Sequence, residues 1–386
     1  MDFDLTEDQQ AFQALARQFS DNEFAPHAAA WDEGKIFPRE VIARAGELGF
    51  CGLYCPEDKG GMGLSRLDSS LILEQLAMGC TSTTAFISIH NMATWMIAEY
   101  GDEELVARYC PELIAGERLA SYCLTEPGAG SDAGSLRTRA VREGDDYVIN
   151  GSKMFISGAG STDVLVTMVR TSDNGSRGIS TLVIPADAEG VSYGSNLQKM
   201  GWHSQPTREI TFENVRVPVA NRLGQEGDGF KIAMKGLDGG RINIATCSLG
   251  TAQAAVNRAR QYMLEREQFG EPIASFQALQ FKLADMVTEL VAARQMVRMA
   301  AFRVDQQDPQ ASVYSAMAKR FATDVGFSVC NEALQIHGGY GYMQEYPLER
   351  YIRDTRVHQI LEGTNEIMRL IVSRHLLTQA DVEVVQ

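Results

Sequence analysis

Nowhere in the chain do about 18 apolar residues follow one another, so no segment is built to cross a bilayer as a helix. Positive charge is scarce. Lys and Arg number 35 against 50 Asp and Glu, and the net charge of −15 argues against nucleic acid and for a partner protein that brings a basic patch. The 6 histidines and 7 cysteines form no zinc pattern: Cys51 and Cys55 are the one close pair, while Cys80, Cys110, Cys123, Cys247 and Cys330 stand apart. No metal is expected, and separated thiols in odd number suit a reducing compartment. The N-terminus shows neither a basic n-region nor an apolar h-region. The expectation is a cytoplasmic protein of a bacterium, or a mitochondrial matrix protein whose presequence has been removed. Internal repeats and low-complexity tracts are missing too. What remains is an ordinary globular composition, 45% hydrophobic and 22% charged, over 386 residues, enough for about two to three domains.

The period of the apolar residues changes twice. Thr6-Glu7-Asp8-Gln9 reads as a capping box, and Phe12, Leu15, Ala16 and Phe19 recur at helical spacing behind it. Helices are predicted over Pro38–Leu48, Leu71–Met78, Thr84–Tyr100 and Glu103–Ala115, with Gly60-Gly61-Met62-Gly63 as a loop. From about Ser121 short β-rich runs take over. Tyr147-Val148-Ile149-Asn150-Gly151 reads as a strand ending in a hairpin turn, answered by Lys153–Ser157, and Val164–Val169, Ile179–Ile184 and Ile210–Phe212 follow. After Gly229 long helices return over Ile242–Arg266, Phe276–Asp305, Ala311–Gln335 and Glu366–Leu377, enough for a bundle. The predicted fold is α+β and multidomain: an N-terminal α-helical domain (1–120), a central antiparallel β-domain (121–230) and a C-terminal four-helix bundle (231–386).

Ile360-Leu361-Glu362-Gly363-Thr364-Asn365-Glu366-Ile367 places one carboxylate between an apolar run and a helix that Thr364 can cap. Apolar surroundings disfavour the charged form, so Glu362 is a candidate for taking a proton from carbon, set against a plain loop–helix junction. Thr125-Glu126-Pro127-Gly128-Ala129-Gly130-Ser131-Asp132 offers free backbone and hydroxyls, which suits a ligand loop or a domain linker, and its glycine spacing is not a dinucleotide fingerprint. Phe155-Ile156-Ser157-Gly158 sets an aromatic beside a hydroxyl, fitting a flat heterocycle or a β-core. Arg266-Glu267-Gln268-Phe269-Gly270 carries a guanidinium near a helix end. Gln335-Ile336-His337-Gly338-Gly339-Tyr340 offers backbone contact to a phosphate, with His337 a structural residue or a ligand.

Taken together and in order, Tyr122-Cys123-Leu124-Thr125-Glu126-Pro127-Gly128-Ala129-Gly130-Ser131-Asp132, Arg266–Gly270, Gln335–Tyr342 and Glu362-Gly363-Thr364 resemble the acyl-CoA dehydrogenase family over essentially the whole chain. Gly201-Trp202-His203-Ser204-Gln205-Pro206-Thr207-Arg208 and Leu237-Asp238-Gly239-Gly240-Arg241-Ile242 look like its isobutyryl-CoA branch. The resemblance implies FAD held without a Rossmann motif, by Tyr122 to Ser131 and by Phe155, Ile156 and Ser157. Arg266, Phe276, Gln277, Gln335, Ile336, His337, Gly338 and Gly339 would reach the FAD of a neighbouring subunit, and Thr364, Asn365 and Glu366 would also line the cofactor. Ser131, Asp238, Gly239, Gly240, Arg241 and Arg374 would contact the acyl-CoA. It implies Glu362 as the α-proton acceptor, with its N–H and an FAD ribityl hydroxyl polarising the thioester carbonyl, and conversion of isobutyryl-CoA to methacrylyl-CoA in valine catabolism. An electron-transfer flavoprotein would be the acceptor and a homotetramer the assembly. Relatives that carry the base just before the arginine matching Arg241 have a carboxylate there; this chain has Gly240. A dehydrogenase for straight short-chain or 2-methyl-branched acyl-CoA, an acyl-CoA oxidase and a non-catalytic scaffold are the competing readings.

Overall fold

In the computed structural model, which describes residues 4–378, three layers follow one another along the chain. The first is helical: α1 (Glu7–Phe19), α2 (Ala28–Gly34), α3 (Arg39–Glu47), α4 (Arg66–Gly79), α5 (Thr81–Tyr100) and α6 (Glu103–Ile114). The Thr6–Gln9 capping box forms as read. α5 is buried nearly from end to end, because it is wrapped by its own domain and by the two that follow. α2 went unread, since its Ala-Ala-Ala-Trp sequence has too few turns to show a period.

The second layer is a sheet of β1 (Ala120–Cys123), β2 (Arg139–Glu143), β3 (Asp146–Ser157), β4 (Val164–Arg170), β5 (Ile179–Pro185), β6 (Val191–Tyr193), β7 (Thr207–Pro218) and β8 (Arg222–Leu223), ordered β6-β7-β3-β2-β4-β5-β8 with β1 on β4. It is antiparallel except where β1, entering from the helical layer, runs parallel to β4 and where β2 touches β4. The hairpin expected at Asn150-Gly151 does not exist. β3 runs straight through, and Asn150 instead exchanges side-chain hydrogen bonds with Asn214, the left-handed residue of a bulge in β7. Gly151 is required because a Cβ there would stand 2.6 Å from Thr138 Cα. The tight turn is Gly144-Asp145, between the paired residues Glu143 and Asp146. A second bulge, in β3, puts Phe155 at φ +61° and turns its ring out of the sheet.

The third layer packs α7 (Gly229–Glu265), α8 (Gln277–Asp305), α9 (Ala311–His337) and α11 (Asn365–Thr378), with a short α10 (Leu348–Arg356) beside them. α7 begins well before Ile242 and is about 55 Å long at 1.5 Å per residue. Its first turns (Ile232, Ala233, Leu237) belong to the helical-layer core, and from Ile242 onward it belongs to the bundle core. Gly239-Gly240 lies at the change-over. All three layers meet at a small cluster of Ala85, Ile89, Trp202, Ile244 and Cys247, packed by Tyr122, Val357 and Leu361. Among the described residues no helix is long and apolar enough to cross a membrane. All seven cysteines are free and buried.

Candidate active site

Beside that three-way junction lies a cavity of about 580 Å³ whose wall includes Ile89, Met92, Tyr122, Phe155, Ser157, Trp202, Leu237, Leu361 and Glu362. Among the described residues, Glu362 is its one carboxylate. The residue sits at φ +53° and Gly363 follows at φ +89°, a pair of left-handed turns that swings the side chain away from α11 and into the cavity. Its Oε2 is shut off from solvent and has no hydrogen-bond partner among the described residues. Burial therefore pushes the carboxyl up to about 7, with the cations of Arg241 and Lys319 opposing the rise. Gly240 makes the room: a Cβ there would stand 2.2 Å from Oε2. Helix α7 accepts the adjacent pair Gly239-Gly240 at about 1 kcal/mol each relative to alanine, and Gly239 makes room for a different group, since a Cβ on it would meet the Arg66 guanidinium at 2.5 Å.

The backbone of the Glu362 turn is held from below. Arg241 Nε donates to Glu362 O at 3.4 Å while Nη1 is held by Asp238 at 2.7 Å. Lys319 Nζ donates to Gly363 O at 2.7 Å and to Asn365 Oδ1 at 2.9 Å. Among the described residues none accepts a hydrogen bond from the Glu362 N–H, which leaves it free for a ligand. Thr364 caps α11 through Ile367 N at 3.3 Å.

The other sequence candidates divide into three groups. Tyr122, Phe155 and Ser157 line the Glu362 cavity, and the exposed Gly128 and Gly130 would have open space around an added Cβ. Pro127 and Ser131 are exposed beside them, and Thr125 O accepts from Met154 N at 2.8 Å. The side chains of Cys123, Leu124, Ala129 and Ile156 face the core, so they reach a ligand by backbone alone. Glu126 is also turned inward. Its carboxylate is paired with buried Lys153 at 2.8 Å and accepts from Arg137 N and Thr138 N, anchoring the loop from behind. A second group gathers far along the bundle: Arg266, Phe276, Ile336, His337, Gly338 and Gly339 line a separate, outward-opening cavity of about 620 Å³. His337 there is stacked on Tyr262 at 4.3 Å and bonded through Nδ1 to Ala333 O, and burial lowers its pKa. Exposed Gln277 and Gln335 flank this cavity without lining it.

The third group is spent elsewhere. Asp238 is bonded to Arg241 and Ser312. Asn365 is buried among Lys319, Thr323 and Asp324, and Glu366 points to solvent toward Arg369. Arg374 is exposed on α11 and lines neither cavity. Two residues at the site, Trp202 and Lys319, have no role assigned from the sequence. Trp202 walls the cavity and donates to His358 Nε2 at 3.2 Å, and His358 Nδ1 lies 2.7 Å from Ser248 Oγ. Lys319, set among Ser315, Ala316, Ala322 and Thr323 on one helical face, carries no sequence signal that ties it to Glu362.

The chain matches the acyl-CoA dehydrogenase N-terminal domain over residues 6–117, the middle domain over 121–215 and the C-terminal domain over 227–377. It is 55% identical to the mitochondrial isobutyryl-CoA dehydrogenase of Bos taurus, across 97% of this chain and 90% of that protein. It is 54% identical to the mitochondrial isobutyryl-CoA dehydrogenase of Dictyostelium discoideum, across 96% and 90%. The structure of butyryl-CoA dehydrogenase from Megasphaera elsdenii superimposes with a TM-score of 0.94 at 40% identity, covering 98% of this chain and all of that one. The chain belongs to the acyl-CoA dehydrogenase family.

Proposed function

We propose that the protein oxidises a short branched-chain acyl-CoA, isobutyryl-CoA, to the α,β-unsaturated thioester methacrylyl-CoA, with Glu362 as the base. The observation that carries the reading is a buried, unpartnered carboxylate oxygen aimed into a largely apolar cavity that also carries Lys199, Arg353 and Arg356 on its wall. A carboxylate there is a stronger base than in water, because accepting a proton removes a poorly solvated charge. Glu362 takes the α-proton onto a carboxylate oxygen. Its free N–H is placed to donate to the thioester oxygen as negative charge develops on it. Ile89, Met92, Leu237 and Leu361 exclude water from the reacting carbons.

The residues present suit FAD. Phe155 presents its ring to the cavity with 61% exposure, Tyr122 and Ser157 stand beside it, and Gly128 and Gly130 leave the loop backbone bare. When bound, FAD supplies the acceptor for the β-hydrogen, which leaves as hydride. The 620 Å³ cavity around Arg266 and Gly338-Gly339 shares no residue with the Glu362 cavity, which supports its serving a neighbouring subunit's cofactor. The exposed apolar side chains of Phe281, Val287, Val291, Met299 and Phe302 along α8 favour a homotetramer. An electron-transfer flavoprotein is the proposed acceptor, and valine catabolism the setting that supplies a branched acyl group.

The test is a steady-state panel with a dye acceptor. Isobutyryl-CoA should show the highest kcat/KM. Butyryl-CoA or 2-methylbutyryl-CoA turned over tenfold better would move the assignment to another substrate, and no turnover with any acyl-CoA would overturn the reading.

A further inference from the structure

We propose that Lys319 is a positioning residue for the base: with Arg241 it clamps the consecutive carbonyls of Glu362 and Gly363, fixing the left-handed turn that aims the carboxylate and holding a positive charge beneath it. The inference rests on the reading of Glu362 as the base and adds a residue from a different helix to its control.

The geometry is specific. Lys319 comes from the first third of α9, is 0% exposed, and reaches across to Gly363 O at 2.7 Å and Asn365 Oδ1 at 2.9 Å. Arg241 reaches from α7 to the preceding carbonyl, Glu362 O. A non-glycine residue at φ +53° followed by a glycine at φ +89° is a conformation the chain adopts only when its surroundings hold it. Both peptide units of that turn end on a cation. Asn365 in turn is fixed by Thr323 at 3.0 Å and Asp324 at 2.7 Å, so the acceptor that orients the amine is itself immobile. A lysine serving packing alone would find its partners on neighbouring helices; this one spends a donor on the residue next to the base.

The charges facing the pair come from every element packed on it. Lys319 faces Glu362 from the turn, Arg241 from α7, Asp324 from its own helix and Glu366 from α11. Glu362 faces Arg241 and Lys319, its charge is felt by Tyr122 on β1 and Cys247 on α7, and Lys199 before β7 (lowered by burial to about 8) and Arg353 and Arg356 on α10 line the same cavity. Burial keeps Tyr122 and Cys247 protonated and His358, which also feels Lys319, neutral, so none of these three titrates near neutrality. Burial lowers Lys319 to about 7, with Glu362 as the leading influence that resists the fall. The amine and the carboxylate therefore support each other's charged forms.

The experiment compares the FAD-saturated wild type with Lys319→Gln, which keeps a donor but loses the charge, and Lys319→Met, which loses both. kcat is followed against pH at saturating acyl-CoA, with flavin content and the affinity for a non-oxidisable acyl-CoA thioether as readouts independent of turnover. In both variants the kcat midpoint should move alkaline by about one pH unit, because an opposing cation has been removed. Lys319→Met should also lose about 10–100-fold of plateau kcat through a misplaced carboxylate, while Lys319→Gln keeps most of it and thioether affinity stays within about twofold in each. Should Lys319→Met not accumulate as folded protein, Lys319→Gln alone decides. A wild-type midpoint in Lys319→Gln, or a fall in kcat that is uniform with pH and matched by lost flavin, overturns the proposal. Near-normal turnover in Glu362→Gln would instead overturn the base assignment, whatever Lys319 does.

Discussion

Replacing Glu362 by Gln should abolish turnover and at the same time stabilise the fold, with a pH dependence opposite to that of a salt-bridged carboxylate. In the folded chain the Glu362 carboxyl titrates at about 7, against an ordinary value of 4.5. Between those values the folded state retains a proton that the unfolded state has released. Stability is therefore lost as pH rises from about 4.5 through 7, and the loss is complete above it. At 1.36 kcal/mol per pH unit the whole interval is on the order of 3 kcal/mol. Two features of the site reduce that figure: Glu362 keeps some exposure through the cavity, and Gln deprives Lys319 of an anion. A gain of about 2 kcal/mol above pH 7 remains, or roughly 2–3 °C in Tm for a chain of this length. Lys319 works in the other direction, gaining stability as pH rises from about 7 towards 10.5, so the comparison belongs between pH 5 and 7.5. The assay is thermal denaturation of wild type and Glu362→Gln at matched flavin occupancy. The Tm gap should open from near zero at pH 5 to its full size at pH 7.5. A gap that stays constant with pH, or a variant less stable at pH 7.5, would refute a desolvated Glu362.

Gly240→Ala should lower kcat by about 10²-fold, because the added methyl occupies the 2.2 Å approach of Glu362 Oε2 and displaces the base. Stopped-flow flavin reduction measures this, and unchanged rates would mean the close contact is not kept in solution. Arg266→Ala should weaken FAD retention and the assembly together, since Arg266 stands over Tyr340 at 5.7 Å in the outward-opening cavity. Light scattering with flavin absorbance would contradict this by showing an intact oligomer with full flavin.

Much of this architecture was legible because long periodic segments announce themselves. The buried positions of α8 and α9 recur at helical spacing, and the runs at Val164 and Ile179 are unbroken β-rich stretches buried along almost their whole length. Apart from α2, which is too short to show a period, the failures share one cause: a residue whose local signal is answered by a distant partner. Asn150-Gly151 carries turn chemistry, yet Asn150 bonds a bulge and Gly151 admits Thr138. Gly239-Gly240 delays the apparent start of α7, although the helix runs through because Arg66 and Glu362 need the space. Glu362 itself could be picked out from its apolar flank, but not the amine beneath it, because Lys319 is 43 residues away in sequence and joins the site only through the packing of α9 against α11.

The most direct measurement is anaerobic mixing of the FAD-loaded protein with isobutyryl-CoA, following flavin absorbance across pH in wild type and Glu362→Gln. Wild-type flavin should bleach with a rate that rises with pH and levels off above about 7, where the carboxylate is ionised. The variant should bind the thioester yet bleach at least about 10²–10⁴-fold more slowly at every pH. Equal bleaching by both proteins, or a wild-type rate that ignores pH, would contradict Glu362 as the base.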